Sequence, residues 1–422
     1  MPSSDRVLSV DDVHAFVEEH SFSAGSAGSA DRVGVELEWL AFHLDRLEAY
    51  PEFACVRETA RSREPLPEGG AVHFEPGGQV EVASAPGEHV AEVCRAASAD
   101  AATVRAALSA EGITLLATGL DPIRPARRVL EFPRYRAMER YFDARSEAEG
   151  AAGRLMMGAT AAVQVNVDGG SGFELAARWD AARRLGPILA AAFANSPFVE
   201  GLPSAWRSTR LQTWSELDPL RTLPVAPGPT PAAAWGRYAL DAPVMLIRRS
   251  AEDFVPITEP LSFERWLDEG HELGYPTEED FAYHLTTLFP PVRPRGWLEL
   301  RMIDSLPEPL WQVAVAVATV LLLDPEARAA AVYAAAPAEG LWRDAAREAL
   351  SHPVLAGAAL RCFNAALEGV ARLRGTQTLT GAIAAYIDRY IRPGTTPADE
   401  AVAAWSRSGS PIAPALLEPA WN

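Results

Sequence analysis

Lysine is absent from this chain of 422 residues, so its 38 basic residues are all arginine. Any phosphate or carboxylate that the protein binds through a cation must therefore be bound by a guanidinium group, whose planar fork of N–H donors suits both anions. Positive charge is also scarce, because 56 acidic residues leave a formal net charge of −18. Nucleic-acid binding requires a basic surface, so this balance argues against a nucleic-acid partner.

Cysteines and long apolar runs are equally scarce. Cys55, Cys94 and Cys362 form no CxxC pair, which argues against a zinc knuckle or a disulfide framework and favours a reducing cytoplasm. The longest apolar run, Leu310 to Leu323, is shorter than the roughly 20 residues of a bilayer span and predicts a buried helix. No basic segment followed by an apolar run opens the chain. We therefore expect a cytoplasmic protein without a membrane partner.

Familiar nucleotide-binding and nucleophile motifs are missing as well. The stretch "GRLMMGAT" (Gly153 to Thr160) has the spacing of a phosphate-binding loop, but Ala159 stands where the lysine belongs, and a strand rather than a helix follows. No GxGxxG motif opens a helix, and no GxSxG motif marks a nucleophilic serine. Dinucleotide-binding and serine-hydrolase classes therefore have no support.

What the sequence does contain is a set of strands with one acidic face. In "VGVELEWLAF", Glu36 and Glu38 alternate with apolar residues, so that both glutamates project from the same side of a strand. In "VHFEPGGQVEVASAP", Glu75 and Glu81 flank a Pro-Gly-Gly turn. Acidic residues are disfavoured in strands, so this repeated placement indicates a face that binds something positive.

Two later segments repeat the pattern with other polar residues. "GATAAVQVNVD" places Gln164 and Asn166 on one face, and "RGWLELRMID" places Glu299 and Arg301 on one face. Helical spacing is seen at 88–112 and 174–194, without strict alternation of strand and helix. The pattern predicts an α+β fold, in which an antiparallel sheet packs helices on one face and lines an open cleft with the other.

The residue types on this face suggest a reaction. Several carboxylates crowded together would repel one another unless they share hard cations such as Mg²⁺, which prefer oxygen ligands. Arg293 and Arg295 precede the strand that carries Glu299 and Arg301. Metal and guanidinium groups together suit phosphoryl transfer, whose transition state spreads negative charge over oxygens. The structural alternatives are a solvated strand face for any single glutamate and a role in solubility for Arg293 and Arg295.

We predict one catalytic domain over residues 1–422. Within it we expect a flexible connector of small residues near 21–31, a mostly helical part over 307–392 and an extended tail over 393–422.

Six segments together resemble the glutamate-cysteine ligases of the plant and bacterial type. They are "GVELEWL", "FEPGGQVEVASAP", "TAAVQVNVD", "NSPFVEG", "RLQTWSELDPLRT" and "HLTTLFPPVRPRGWLELRMID", in order between residues 33 and 306. The likeness is greatest to the actinobacterial branch that supplies ergothioneine synthesis. It implies a glutamine synthetase-like α+β fold, in which a curved antiparallel sheet forms a funnel-shaped active site with helices on its outer face.

The resemblance also implies the reaction and its cofactors. ATP would phosphorylate the γ-carboxylate of L-glutamate, and the amine of L-cysteine would displace phosphate to give γ-glutamylcysteine, with two or three Mg²⁺ ions bound. The residues so implied are Glu36, Glu38, Glu75, Glu81, Gln164 and Glu299 for metal, Arg301 and Glu299 for catalysis, Arg210, Trp214 and Tyr238 for the amino-acid substrates, and Arg293, Arg295 and Asn166 for the nucleotide phosphates. Gln164 stands where some relatives have a histidine ligand.

Two alternatives remain open at this point. One is an ATP-dependent ligase that joins glutamate to a different amine. The other is a binding or regulatory relative without turnover. Release of ADP in the presence of magnesium, glutamate and each candidate amine would distinguish the three.

Overall fold

The alternating segments form β-strands in a computed structural model of the chain, which describes residues 8–22, 31–373 and 377–412. The strands are β1 (Val33–His43), β2 (Ala71–Phe74), β3 (Val80–Ala83), β4 (Ile113–Leu116), β5 (Ala162–Val167), β6 (Phe198–Val199), β7 (Leu202–Pro203), β8 (Leu246–Arg248), β9 (Phe254–Pro256), β10 (Val292–Pro294) and β11 (Leu298–Asp304). Seven of them form one antiparallel sheet in the order β10-β11-β5-β1-β3-β2, with β4 also paired to β1. The other four form two hairpins.

Strand β1 shows why the sheet has two different faces. Val35, Leu37 and Trp39 are each about 1% exposed and point toward the helices. Glu36 and Glu38 alternate with them and therefore point to the opposite face. The period of two in the sequence thus separates an apolar face from a polar one.

Helices account for most of the remaining chain. They are α1 (Val10–Phe16), α2 (Phe53–Arg61), α3 (Val90–Ala110), α4 (Pro133–Arg145), α5 (Glu147–Ala159), α6 (Gly172–Ala192), α7 (Thr209–Glu216), α8 (Pro219–Thr222), α9 (Pro231–Asp241), α10 (Phe263–Glu269), α11 (Glu278–Leu285), α12 (Leu310–Leu323), α13 (Pro325–Ala335), α14 (Trp342–Arg347), α15 (Pro353–Val370), α16 (Thr380–Tyr386) and α17 (Pro397–Ser408). Short 3₁₀ and π turns extend several of them.

Helices cover the apolar face of the sheet in two layers. Helices α3, α6 and α12 pack against the apolar face, and α13, α15 and α16 cover α12. Helix α12 is apolar on all sides and buried, as its sequence predicts. Among the described residues no single helix is long and apolar enough to span a membrane. Leu310–Leu323 and Pro325–Ala338 have sufficient length and apolarity only when they are taken together, and a bend of 100° separates them.

The predicted extended tail is wrong over its central part. Thr396 begins helix α17 with a capping box, in which its side chain and that of Asp399 each accept a backbone N–H from the other end of the turn. Pro397 occupies the first helical position, where a missing N–H costs nothing. Residues 413–422, and residues 23–30 of the predicted connector, lie outside the described residues. The single catalytic domain stays a prediction.

Candidate functional site

Three carboxylates converge on the polar face of the sheet. Glu38 on β1 lies directly opposite Glu81 on β3 in the antiparallel register. Glu75 follows β2 at the hairpin turn, where its backbone N–H donates to the backbone oxygen of Gln79 and its backbone oxygen accepts from the N–H of Gly78. One carboxylate oxygen of each of the three lies within 4.8 Å of the others. We call Glu38, Glu75 and Glu81 the acidic cluster; Glu36, two residues before Glu38, shares its face.

The acidic cluster is electrostatically unfavourable by itself. Burial raises the pKa of Glu38 to about 8, and the charge of Glu75 adds to this effect. Burial also raises the pKa of Glu81, and the charges of Glu75 and Glu38 raise it further. A divalent cation would relieve both the burial of charge and the repulsion, since carboxylate oxygens are the ligands that hard cations prefer. The donor set therefore fits Mg²⁺.

Strand β5 holds two of these glutamates through side-chain amides. Gln164 Nε2 donates to Glu38 Oε1 at 2.7 Å, and the backbone N–H of Ala162 donates to Glu38 Oε2 at 2.8 Å. Asn166 Nδ2 donates to Glu36 Oε1 at 3.0 Å. The side-chain oxygen of Gln164 accepts from Arg301 Nη1 at 2.6 Å. Gln164 therefore links the acidic cluster to an arginine, and its metal ligation stays a prediction.

Glu299 on β11 is surrounded by arginines. Its two oxygens accept from Arg293 at 2.7 and 3.1 Å, from Arg295 at 3.3 Å and from Arg301 at 3.0 Å. Burial alone would raise the pKa of Glu299, but the three guanidinium charges lower it well below its ordinary value. Glu299 is thus placed with the arginines and not in the acidic cluster. Its predicted metal ligation stays a prediction, and in this arrangement it holds three cations together.

A β-bulge aims Arg301 into the cleft. Leu300 pairs with Val165 and Ile303 with Val163, so that two residues of β11 stand opposite Gln164 alone. Bulges turn side chains away from a regular ladder and are frequent beside active sites. The guanidinium of Arg301 consequently reaches both Gln164 and Glu299.

Helix α7 contributes the predicted amino-acid binding residues. Arg210 and Trp214 are four residues apart and therefore share a face of the helix. Arg210 Nη2 donates to the backbone oxygen of Arg301 at 2.7 Å, and the Arg301 guanidinium lies 5.9 Å from the Trp214 ring centroid. Both side chains line the same cleft as the acidic cluster.

Tyr238 is not among the side chains that line the described cleft. Trp235, three residues earlier on α9, lines it instead. The Tyr238 ring stacks on Trp235, with ring centroids 5.4 Å apart and an interplanar angle of 15°. Tyr238 therefore packs against a residue that lines the cleft, and its predicted role in the substrate site stays a prediction.

The cleft has a volume of about 830 Å³ and includes residues that the sequence did not assign to it. Helices α4 and α5 contribute Arg134, Tyr135, Met138, Met156 and Met157; the hairpin and the loop before β5 contribute Gln79 and Thr160; the segment after α1 contributes His20 and Ser21. These residues lie on helices and turns, where the period-two signal that revealed the strands does not exist.

Comparisons of the chain with a family model and with individual proteins indicate the same family. A model of the family described as glutamate-cysteine ligase family 2 matches residues 32–414. The chain is 41% identical to the glutamate–cysteine ligase EgtA of Mycolicibacterium smegmatis over 397 residues, which cover 93% of this chain and 90% of that protein. It is 39% identical to the EgtA of Mycobacterium tuberculosis over 381 residues, which cover 88% and 86%.

A solved structure supports the fold. The glutamate–cysteine ligase of Francisella tularensis, solved in complex with AMP, superposes with a TM-score of 0.53 at 12% identity, over 89% of this chain and 85% of that one. At this identity the likeness concerns the fold. The predicted glutamine synthetase-like α+β fold is thereby confirmed.

Proposed function

Because the chain belongs to glutamate-cysteine ligase family 2, we propose that its cleft performs the ATP-dependent joining of L-glutamate, through its γ-carboxylate, to L-cysteine. The products are γ-glutamylcysteine, ADP and phosphate. A carboxylate is a poor electrophile, and transfer of a phosphoryl group to it creates an acyl phosphate, from which the cysteine amine displaces phosphate. The observation that carries the proposal is the convergence of carboxylates and arginines from distant segments in one cleft.

The arginine side of the cleft would stabilise the transferring phosphoryl group. Negative charge spreads over the phosphoryl oxygens in the transition state, and preorganised cations stabilise that charge at little reorganisation cost. Glu299 holds Arg293, Arg295 and Arg301 close to one another. Arg301 is the best placed of the three, because it also contacts Gln164 and thereby borders the acidic cluster.

The acidic side would hold magnesium, through Glu38, Glu75 and Glu81 together with Glu36. When bound there, magnesium supplies positive charge to the phosphates of ATP. Two or three ions are expected from the family resemblance, with Gln164 and Glu299 as further candidate ligands. Asn166, which accepts a hydrogen bond from Trp297 and donates to Glu36, is proposed to border the nucleotide phosphates.

The two amino acids would meet at helix α7. Arg210 is proposed to bind a carboxylate of L-glutamate, since its fork of donors matches that group. Trp214, together with Trp235, is proposed to line the position of L-cysteine. Met138, Met156 and Met157 line the cleft in the same apolar cluster as Trp214 and extend this wall.

The proposed product, γ-glutamylcysteine, suggests which biosynthetic pathway the protein serves. We propose that γ-glutamylcysteine formed by this protein supplies ergothioneine synthesis, in keeping with the branch of the family that the sequence resembles.

The test is a product assay with purified protein, ATP, Mg²⁺ and L-glutamate. ADP and γ-glutamylcysteine should form in equal amounts when L-cysteine is added. A Glu38→Gln variant prepared in parallel controls for contaminating ligases and should form neither. Release of ADP with another amine in place of cysteine would favour a ligase of different acceptor specificity. Silence with every amine would favour the non-catalytic alternative.

A further inference from the structure

Asp304, the last residue of β11, lies three residues after Arg301 and is fully buried, with a side chain 0% exposed. Only donors approach its carboxylate. Oδ2 accepts from Ser196 Oγ at 2.7 Å and from the backbone N–H of Asn195 at 2.8 Å, and Oδ1 accepts from Ser208 Oγ at 2.9 Å. A fully buried charge is costly unless it is compensated, so its retention here calls for a partner or a task.

The positive partner of Asp304 is Arg210. Its Nη1 lies 3.6 Å from Asp304 Oδ1, an ion-pair distance that is too long for a good hydrogen bond. Its Nη2 donates to the backbone oxygen of Arg301. Among the described residues Nη1 has no hydrogen-bond partner. Arg210 is therefore held in place by the charge of Asp304, which Nη1 faces, and by the one hydrogen bond of Nη2.

Asp304 also fixes the helix that carries Arg210. Ser208 is the N-cap of α7: its hydroxyl oxygen accepts from the backbone N–H of Leu211 at 3.2 Å while its proton goes to Asp304. The N-cap sets where the helix begins and hence which side chains face the cleft. Arg210 and Trp214 both depend on that choice.

The surrounding backbone leaves just enough room for this carboxylate. A Cβ atom added to Gly119 would lie 2.5 Å from Asp304 Cγ. Gly119 cannot easily move away, because its N–H donates to Asn195 and its oxygen accepts from Ala161. A methyl group at residue 119 would therefore displace Asp304 without touching the cleft.

We propose that Asp304 is a positioning residue for the glutamate site: it orients helix α7 and the Arg210 guanidinium against β11. The proposal rests on the proposed function, in which Arg210 binds L-glutamate. It ties the group that binds glutamate to the strand that carries Arg301, so that the substrate carboxylate and the transferring phosphoryl group keep a fixed separation. A displacement of 1 Å at such a point is sufficient to impair a reaction.

The experiment compares Asp304→Asn and Gly119→Ala with the wild type in the product assay. Asparagine keeps the shape but turns an N–H₂ group toward a donor and removes the charge that faces Arg210. Gly119→Ala leaves the Asp304 carboxylate chemically intact but displaces it, because the added Cβ would lie 2.5 Å from Asp304 Cγ. Both variants should raise the KM for L-glutamate by about tenfold or more, the size expected for loss of a charged contact. The KM for ATP should stay within about twofold of the wild-type value, because Arg293, Arg295 and Arg301 keep their contacts with Glu299 and the acidic cluster is not changed.

Asp324→Asn is the matched control for a purely structural loss. Asp324 is also buried, pairs with Arg372 and caps α13, on the outer layer of helices away from the cleft. Its variant should lower the melting temperature and leave every KM unchanged. Ser208→Thr keeps the capping hydroxyl and should retain the glutamate KM, whereas Ser208→Ala should raise it.

The proposal is overturned if Asp304→Asn and Gly119→Ala fold and keep the wild-type KM for glutamate. It is also overturned if they raise the KM for ATP equally, because that pattern indicates general distortion. Should Asp304→Asn fail to fold, Gly119→Ala and the two Ser208 variants decide the question. Failure of the proposed function would look different, since the wild type itself would then form no γ-glutamylcysteine.

Discussion

Glu81 lies in a place where a negative charge is costly without a cation. It is 7% exposed, and both Glu38 and Glu75 offer oxygens within 4.8 Å of its own. Neutralising it should therefore remove repulsion. We expect a Glu81→Gln variant, measured with a chelator present, to be at least as stable as the wild type. With Mg²⁺ the wild type should gain melting temperature, because a ligand that binds the folded state stabilises it, and the variant should gain much less.

Glu64→Gln provides the control for this prediction. Glu64 is exposed and accepts the backbone N–H of Val72 on the same hairpin, outside the acidic cluster. Its variant should respond to Mg²⁺ as the wild type does. A Glu81→Gln protein that is destabilised in chelator, or that keeps the full response to Mg²⁺, would contradict the proposed metal site.

Methionine side chains offer a reason for selectivity toward a thiol. Three of the six methionines, Met138, Met156 and Met157, line the cleft beside Trp214. Thioethers and aromatic rings are polarisable and interact favourably with sulfur. We expect Met156→Leu, a change that conserves volume, to lower the preference for L-cysteine over L-2-aminobutyrate by roughly two- to tenfold in kcat/KM.

Met245→Leu is the matched control, because Met245 belongs to the same apolar cluster but is fully buried and does not line the described cleft. Its ratio of kcat/KM for the two acceptors should equal that of the wild type. Equal ratios in all three proteins would show that the methionine wall does not contact the acceptor side chain.

At the scale of secondary-structure elements, the sequence predicted which strand residues face the cleft better than it predicted which helix residues do. The period of two in β1 places Glu36 and Glu38 on one face whatever packs against them. Helix α5 carries Met156 and Met157 into the cleft, and the sequence predicted no such role. A helical pattern shows which side is apolar but not which neighbour covers it, since that choice depends on tertiary packing.

Asp304 and Arg134 illustrate the same limit. Asp304 ends a strand whose alternation was recognised, yet its importance depends on Ser196, Ser208 and Arg210 from distant segments. Arg134 begins a helix and reaches the cleft because α4 packs beside α5. Neither contact has a local signature in the sequence.

The close packing of helix α15 against α12 and α13 can be tested at Gly369. Gly369 is where α15 touches α12 and α13: an added Cβ would lie 2.6 Å from Val320 and 3.0 Å from Ala327. Valine is stiff and cannot swing aside. Gly369→Ala should therefore lower the free energy of unfolding by about 1–3 kcal/mol despite the better helix propensity of alanine. Chemical denaturation measures it, and substrate KM values should not change.

Gly357→Ala, in the same helix, is the control. An added Cβ there meets only the Arg361 side chain at 3.7 Å, an ordinary contact. Alanine should then stabilise the protein by up to about 1 kcal/mol, because it is the better helix former. If both alanine variants had the same stability, close packing at Gly369 would not be the reason for glycine.

At the scale of the whole molecule, the site is a product of strand order. Strand β1 pairs with β3 on one side and β5 on the other, and β11 lies beyond β5. This order places acids from residues 36–81 on one side and arginines from residues 293–301 on the other, with Gln164 between them. The sequence predicted that these faces were polar. The order in which they adjoin follows from pairings between distant segments, such as Glu38 with Glu81, Glu36 with Gln164 and Glu299 with Asn166, which no local pattern encodes.

Acid stability is a property of the whole chain to which buried His284 contributes. Burial lowers the pKa of His284 to about 3, and the charge of Arg221 acts in the same direction. Its Nε2 lies 2.9 Å from the backbone oxygen of Ala239, and its ring packs beside Phe263. The unfolded chain, in which the histidine pKa is near 6.5, therefore binds a proton that the folded chain refuses. Stability from this residue is fully present above pH 6.5 and is lost as the pH falls toward 3.

A His284→Gln variant tests the size of that contribution. Glutamine can still donate to Ala239 but does not titrate. Between pH 6.5 and pH 5 the free energy of unfolding of the wild type should fall by roughly 1.6 kcal/mol more than that of the variant, because the slope reaches its full value of about 1.36 kcal/mol per pH unit only below the unfolded pKa. The acidic cluster, whose raised pKa values act with the opposite sign, is the same in both proteins and cancels in the difference. Denaturation curves with parallel pH dependence would mean that His284 binds a proton equally well in the folded and the unfolded chain, against the burial that the structure gives it.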